Sequence, residues 1–312
     1  MGTGEFAVPI LDLLDENYKI KLVVCSPDKP IGRKQIITSP PVKVKALEKK
    51  LRVAQPQKLR NNQEFMALVE KINPDLIVVA SYGKILPIEI LSLPKFGCLN
   101  LHGSILPAYR GPSPIQTALL NGETKTGVSL MIMDTGMDTG AVLAIQTIEI
   151  EKNDDYQTLS GKLSQVAAQL LLDNLEKYLQ GEIQPEIQDN AKATYTEKIT
   201  PLMSIVDWSQ SADKINNQVR AIASTEGVYS LYNEKKLYLE KTQVLDNLED
   251  KENNLICGQV FLRLDEAGQK QWAVKCGNNA LRLLQVKLEG RKSMPIKDFI
   301  NGQPQLVNSI LK

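Results

Sequence analysis

The first 150 residues alternate short apolar runs with amphipathic stretches. The runs have the length of buried strands, and the stretches repeat apolar positions at the three- and four-residue spacing of helices. The strands predicted here lie at 20–25, 75–80, 97–101, 128–133 and 141–150, and the helices at 6–14, 42–51, 62–72 and 156–180. Strands that alternate with helices of about ten residues predict βαβ units, and therefore a Rossmann-like α/β fold with a mostly parallel sheet.

The pattern changes after Gly181. Residues 182–204 are polar and non-periodic and contain two prolines, which is typical of an interdomain connection. A helix is predicted at 211–222, and short alternating strands separated by turn residues follow it. We therefore predict an α/β domain over 1–181, a linker over 182–204, and a small β-rich barrel over 205–312.

The composition limits which partners the protein can have and where in the cell it is expected. A formal net charge of +1 excludes a globally basic nucleic-acid binder, so any RNA contact must come from local charge. The N-terminus lacks the order of a signal peptide, and no apolar run approaches the ~20 residues of a membrane span. The sequence predicts a cytoplasmic protein without membrane contact.

A possible nucleotide motif opens the chain. Gly2, Gly4 and Ala7 match the dinucleotide fingerprint G-x-G-x-x-A, which needs a strand directly before it and a helix after it. Only Met1 precedes the glycines, so a dehydrogenase is a weak interpretation and a tight entry into the first helix is a better one. A doubly wound sheet normally begins with such a strand, and we expect it to be missing here.

Residues 98–140 carry the candidate chemistry. The sequence has one histidine, His102, which excludes a three-histidine metal site, and we predict no metal. Asn100 and His102 fall where the predicted strand 97–101 ends, and side chains two residues apart share a face. An amide can donate to the oxyanion of an acyl-transfer intermediate, and an imidazole can take the proton of an attacking amine. Because no G-x-S-x-G elbow is present, direct attack by an amine fits better than an acyl-enzyme.

Each of these residues also fits a purely structural role. A histidine at a strand end is commonly a surface or capped residue. Asp134 and Asp138 in the loop 133–140 could serve as turn formers between two strands. In the functional interpretation, the Asp138 carboxylate instead raises the pKa of the imidazole or orders a water molecule between the two groups.

The motif NLHGSILPAYRG at 100–111, followed by MDTGMDTG at 133–140, resembles the signature of the folate-dependent formyltransferases. Within that family the chain resembles the members that act on methionyl-tRNA, and the resemblance covers nearly its whole length. It implies an N-terminal formyltransferase domain and a C-terminal, tRNA-binding barrel similar to an OB-fold. It also implies transfer of a formyl group from 10-formyltetrahydrofolate to the α-amino group of methionyl initiator tRNA, for translation initiation.

The same resemblance assigns residues. Asn100 would stabilise the oxyanion, His102 would handle the proton, and Asp138 would tune His102. Two segments resemble the folate-binding elements of the family, and their predicted contacts are Ser104, Ile105, Leu106, Pro107, Tyr82, Gly83 and Ile85.

A basic segment is the predicted tRNA contact. Residues 28–60 carry ten Lys or Arg against two acidic residues, and the loop 27–41 is long and non-periodic. In the resembled family this loop meets the acceptor stem, which implies that Arg33 and Lys34 bind tRNA. A solvated charged helix face is the alternative for the lysines of 42–51.

Two rival functions stay open at this point. One is a formyltransferase of the same fold that acts on a small amine, such as a sugar nucleotide or glycinamide ribonucleotide. The other is a non-catalytic relative that binds folate or RNA. The basic loop and the second domain argue against the first rival, and the presence of Asn100, His102 and Asp138 argues against the second. A monomer is expected.

Overall fold

The computed structural model describes residues 1–31 and 35–312. The chain forms two compact units, and both are discontinuous in sequence. Unit 1 contains Met1–Pro114, Lys125–Ile150 and Thr158–Glu197, and unit 2 contains Ile115–Thr124, Glu151–Gln157 and Lys198–Lys312. Two short segments before residue 181 therefore belong to the unit that holds the C-terminal part. The predicted boundaries at 181 and 205 stay predictions.

The elements follow one another in this order along the chain. The helices are α1 Val8–Asn17, α2 Pro41–Glu48, α3 Gln63–Ile72, α4 Ile88–Leu91, α5 Pro114–Leu120, α6 Tyr156–Leu179, α7 Ala212–Ile222, α8 Asp250–Asn253 and α9 Ile296–Gly302. The strands are β1 Val23–Val24, β2 Lys29–Ile31, β3 Ile36–Thr38, β4 Val53–Ala54, β5 Ile77–Val79, β6 Cys98–His102, β7 Lys125–Ile132, β8 Val142–Glu149, β9 Tyr229–Tyr232, β10 Lys235–Leu245, β11 Val260–Leu264, β12 Lys270–Lys275, β13 Ala280–Leu288 and β14 Met294–Pro295. Short 3₁₀ turns lie at Glu5–Ala7, Asn190–Lys192, Pro201–Ser204 and Pro304–Leu306.

The α/β unit has the predicted parallel pairs. Strand β1 pairs with β4 and β5 pairs with β6, both in parallel, whereas β7 and β8 add antiparallel strands beside β6. Residues 1–3 lie between the two parallel pairs, since the Met1 amine donates to the Val78 carbonyl at 2.6 Å and the Gly2 N–H to the Val24 carbonyl at 2.9 Å. A cavity of about 590 Å³, lined mostly by apolar side chains, lies beside these residues.

Local sequence signals explain where the helices begin and end. The Asn62 side chain accepts a hydrogen bond from the Phe65 N–H at 3.0 Å and caps α3, which ends at Asn73 in the left-handed region. In α6, Leu159, Leu163 and Leu171 are fully buried, as their helical spacing predicts.

The loop 27–41 contains two short strands that the sequence did not predict. Strands β2 and β3 pair antiparallel, with Lys29 opposite Thr38 and Ile31 opposite Ile36. The turn signals at Pro27, Pro30 and Gly32 obscured two strands of only three residues each, which are too short for alternation to detect.

The C-terminal sheet runs in the order β11-β12-β13-β10-β9, with every pairing antiparallel and β14 beside β13. The last residues of the chain join its two edge strands. Leu311 donates to Gly258 next to β11, and Leu231 of β9 and Lys312 exchange backbone hydrogen bonds. These bonds close the sheet into the barrel that the sequence predicted.

Candidate active site

Strand β6 presents two polar side chains at its carboxyl end. It lies between β5 and β7, where Asn100 is in register with Val79 and Met131, and His102 with Ser129. Because side chains alternate along a strand, Asn100 and His102 project from the same face. His102 is buried and Asn100 is partly buried.

The loop between β7 and β8 brings a carboxylate to that face. Asp138 has a φ of +54°, a left-handed conformation that costs energy for a residue with a Cβ. Asp134 has the turn-forming role that the sequence allowed, because its Oδ1 accepts from the Gly136 N–H at 3.0 Å and from the Thr139 hydroxyl at 2.7 Å. The two aspartates of this motif therefore have different roles, since Asp134 stabilises the turn and Asp138 faces the polar side chains of β6.

The three predicted catalytic side chains come together at Asp138. Its Oδ2 lies 3.5 Å from His102 Nδ1 and accepts the Gly111 N–H at 2.8 Å. Its Oδ1 lies 3.5 Å from Asn100 Nδ2. The carboxylate is thus fixed by a backbone donor on one oxygen and faces both the amide and the imidazole.

The shorter of the two contacts made by the His102 ring favours Nδ1 as the base. His102 Nε2 lies 2.9 Å from the Tyr109 carbonyl oxygen, and a carbonyl can only accept, so Nε2 carries the hydrogen in the neutral ring. The free lone pair is then on Nδ1, the nitrogen that faces Asp138. When Nδ1 takes up a proton, the Asp138 carboxylate already lies beside the new N–H.

The segment after β6 contains the predicted folate contacts. The Ser104 hydroxyl donates to the Ala108 carbonyl at 2.6 Å, and the Leu106 N–H donates to Ser129 Oγ at 3.0 Å. The side chains of Ser104 and Leu106 are buried, whereas Ile105 and Pro107 are partly exposed. A folate ring can therefore meet this segment through Ile105, Pro107 and backbone groups.

The second predicted folate segment follows β5. Since β5 and β6 are parallel neighbours, the segments 82–85 and 104–107 leave the same edge of the sheet. The Tyr82 ring packs in the core with Phe65 and Ile90, and burial raises the pKa of its hydroxyl to about 12. Gly83 adopts a φ of +73°, and Ile85 is 79% exposed. Ile85 is the side chain of this segment most available to a ligand.

Arg33 and Lys34, the predicted tRNA contacts, lie outside the described residues. The base of their loop is described. Asp28 accepts from Lys43 Nζ at 2.7 Å, from Gln55 Nε2 at 2.8 Å and from the Ser39 hydroxyl at 3.1 Å. These hydrogen bonds lower the pKa of Asp28. The bond from Gln55 has the largest effect, and the bond from Lys43 the next largest. Asp28 thus ties the two ends of the basic loop to α2 and to the segment after β4.

Two partners of this site, Arg110 and Gln188, were not predicted from the sequence. Arg110 is 1% exposed, and the buried side chain of Gln188 contacts both Arg110 and the loop that carries Asp138. Arg110 lies within the motif at 100–111, but its residue type and position there predict no particular contact. Gln188 lies in the polar segment interpreted as a linker, where its spacing from residue 138 carries no signal.

Within the described part of the chain, no group of three or more His, Cys, Asp or Glu side chains is placed to hold a metal ion. Over the same residues, no helix combines the length and the apolar character needed to cross a membrane.

Comparison with known families decides the classification. The family model described as formyl transferase matches residues 1–175, and the one described as formyl transferase, C-terminal domain, matches residues 198–304. The chain belongs to the formyltransferase family. The resemblance inferred from the motifs at 100–111 and 133–140 is thereby confirmed.

Individual relatives agree with this membership. A methionyl-tRNA formyltransferase from Caldicellulosiruptor saccharolyticus is 45% identical over 306 residues, which cover 97% of this chain and 95% of that protein. Among solved structures, the methionyl-tRNA formyltransferase from Clostridium thermocellum has a TM-score of 0.53 at 19% identity and covers 78% of this chain and 90% of its own. WlaRD, a sugar 3N-formyl transferase solved in the presence of dTDP and 5-N-formyl-THF, has a TM-score of 0.63 at 19% identity and covers 93% of this chain and 97% of its own. At these identities the two structures show the shared fold.

Proposed function

We propose that this chain is an enzyme that transfers the formyl group of 10-formyltetrahydrofolate to the α-amino group of methionyl initiator tRNA. Full-length similarity to curated methionyl-tRNA formyltransferases supports this substrate pair. The observation that carries the chemistry is the convergence of Asn100 and His102 on the Asp138 carboxylate, each at 3.5 Å.

The reaction needs one oxyanion donor and one base. The neutral α-amine attacks the formyl carbon, a C–N bond forms, and the carbonyl oxygen becomes an oxyanion that the Asn100 amide can stabilise. His102 Nδ1 takes the proton released by the amine, next to Asp138. The bond to folate nitrogen N10 then breaks, and His102 returns a proton to that nitrogen. Tetrahydrofolate leaves, and the base is restored.

An α-amine with an ordinary pKa near ~7.7–8.0 is largely protonated at neutral pH. A positioned base therefore contributes directly to the rate.

The segments 82–85 and 104–107 are the proposed folate contacts. Arg33 and Lys34 are the proposed tRNA contacts, and the barrel is a second proposed tRNA-binding part. We also propose a monomeric, cytoplasmic enzyme, and sedimentation equilibrium of the pure protein tests its oligomeric state.

The test is transfer of a labelled formyl group from 10-formyltetrahydrofolate. Three acceptors are compared, namely methionyl initiator tRNA, free methionine and an amino-sugar nucleotide. Label recovered on the charged tRNA alone is the expected result. Label on the amino sugar but not on the tRNA would replace the proposal by the small-amine alternative, and no transfer by well-folded protein would refute both.

A further inference from the structure

The side chain of Gln188 joins two parts of the α/β unit. Its Nε2 donates to the carbonyl oxygens of Asp138 at 2.9 Å and Gly140 at 2.7 Å. Its Oε1 accepts from Arg110 Nη2 at 2.8 Å and from Arg110 Nε at 3.1 Å. One buried amide thus uses both of its ends, with the catalytic loop on one side and a guanidinium on the other.

The partners allow only one orientation of this amide. Backbone carbonyls can only accept and a guanidinium can only donate, so an amide rotated by 180° would set donors against Arg110 and an acceptor against the two carbonyls. Four hydrogen bonds would be lost in a site where unpaired polar groups are costly. The orientation of Gln188 is therefore fixed by its surroundings.

Arg110 is the anchor of this arrangement. Its guanidinium also donates to Asn190 Oδ1 at 2.8 Å, and the Tyr195 hydroxyl lies 3.4 Å from Nη1. Its backbone N–H donates to the Thr194 carbonyl at 2.9 Å. Among the described residues, no carboxylate lies within ion-pair distance of this buried cation, so it depends on neutral acceptors such as Gln188. Arg110 is consequently held from both its backbone and its side chain.

The backbone conformation of Asp138 needs to be held by neighbouring hydrogen bonds. Its backbone is in the left-handed region, and the Gly111 N–H holds only its side-chain oxygen. Gln188 holds its backbone carbonyl, and the same amide holds Gly140 two residues later. The loop is thus fixed directly after the Cα that directs the carboxylate toward His102, and the Gly111 N–H holds the carboxylate itself.

We propose that Gln188 is a positioning residue for the reaction, which aims the Asp138 carboxylate at Asn100 and His102, and that Arg110 anchors it. The inference rests on the proposed function only for the step that Asp138 assists. The placement of Asp138 beside His102 can be measured without turnover.

The experiment compares Gln188→Glu with the matched variant Asn190→Asp. Both substitutions replace an amide by a carboxylate on the same guanidinium. Only Gln188→Glu removes the donor to Asp138 and Gly140 and turns an acidic oxygen toward their carbonyls. We expect Gln188→Glu to lower kcat by about 10- to 100-fold, the cost of a misplaced catalytic group, with KM for both substrates within about twofold. Asn190→Asp should stay within about threefold of the unchanged chain.

A second readout uses the single histidine in the sequence. Because no other histidine is present, the Cε1 proton of His102 gives the only histidine Cε1 resonance, and this resonance needs no further assignment. At a fixed pH, Gln188→Glu should shift this resonance in the same direction as Asp138→Asn, and Asn190→Asp should leave it in place. Gln188→Ala against Asn190→Ala repeats both measurements if the glutamate variant does not fold.

Each outcome decides whether Gln188 positions the Asp138 carboxylate. Normal kcat and an unmoved resonance in Gln188→Glu would overturn the inference, and so would equal losses in Gln188→Glu and Asn190→Asp, which would point to the charge on Arg110 instead. If the unchanged chain transfers no formyl group, the proposed function fails, while the resonance still tests whether Gln188 places Asp138.

Discussion

Substitution of Asn100 separates the oxyanion donor from the rest of the site. Asn100→Ala removes the amide and leaves His102 and Asp138 in place, and loss of one such donor typically costs 10²- to 10³-fold in kcat, about 3–4 kcal/mol. Asn100→Asp keeps the shape but sets a second carboxylate where the amide lies 3.5 Å from Asp138 Oδ1. Two negative charges at that separation repel by about 5 kcal/mol at an effective dielectric constant of about 20.

The two variants should therefore differ in their response to pH. In Asn100→Asp the repulsion is relieved when the pair of carboxyl groups takes up a proton, and the protonated group regains an O–H donor. We expect Asn100→Asp to be slower than Asn100→Ala near pH ~8 and to gain activity relative to it as the pH falls toward ~6.

The assay is single-turnover formyl transfer to methionyl initiator tRNA with enzyme in excess, which reports the chemical step. Circular dichroism melts of both variants control for folding. Asn100→Ala within tenfold of the unchanged chain would refute the oxyanion role. Parallel pH profiles for the two variants would refute the placement of Asn100 beside Asp138.

Three further predictions concern stability and tRNA use. Leu171→Ala empties a fully buried position of α6 and should lower the free energy of unfolding by about 2–5 kcal/mol in urea denaturation, and no change would refute its place in the core. Because the pKa of Asp28 is lowered from its ordinary value of 3.8, its stabilising effect is present above that value and is lost as the pH falls through the lower, folded-state pKa. The melting temperature of Asp28→Asn should accordingly lie below that of the unchanged chain near neutral pH and converge with it in acid, whereas a constant difference would contradict the assignment. Neutralising Arg33 and Lys34 should weaken tRNA use and reduce its dependence on salt while folate binding is unchanged, and an equal loss of folate affinity would make the loop structural instead.

The sequence predicted the part of the site that a single strand determines. Asn100 and His102 are two residues apart at the end of an apolar run, so alternation alone places them on one face. The approach of Asp138 required more, because its loop could have turned in several directions. The motif allowed Asp138 either to form a turn or to act on the imidazole of His102, and the resemblance to a known family favoured the second role.

Long-range contacts between irregular segments could not be predicted from the sequence. Gln188 is separated from Asp138 by fifty residues and lies in a stretch without periodicity. The closure of the barrel by Leu311 and Lys312 is a similar case, since backbone hydrogen bonds leave no mark on the side-chain pattern. The paired strands β2 and β3 were not predicted because each is shorter than the window in which alternation can be recognised.

The role of His102 as the base is tested most directly by the rate of formyl transfer by His102→Ala, measured in a single turnover with saturating 10-formyltetrahydrofolate and methionyl initiator tRNA. Since His102 is the only imidazole in the sequence, no other histidine can replace it as the base. We expect a rate lower by about 100-fold or more, with both substrates still bound. A rate close to that of the unchanged chain would show that the proton is handled elsewhere and that the cluster of Asn100, His102 and Asp138 is not the catalytic centre.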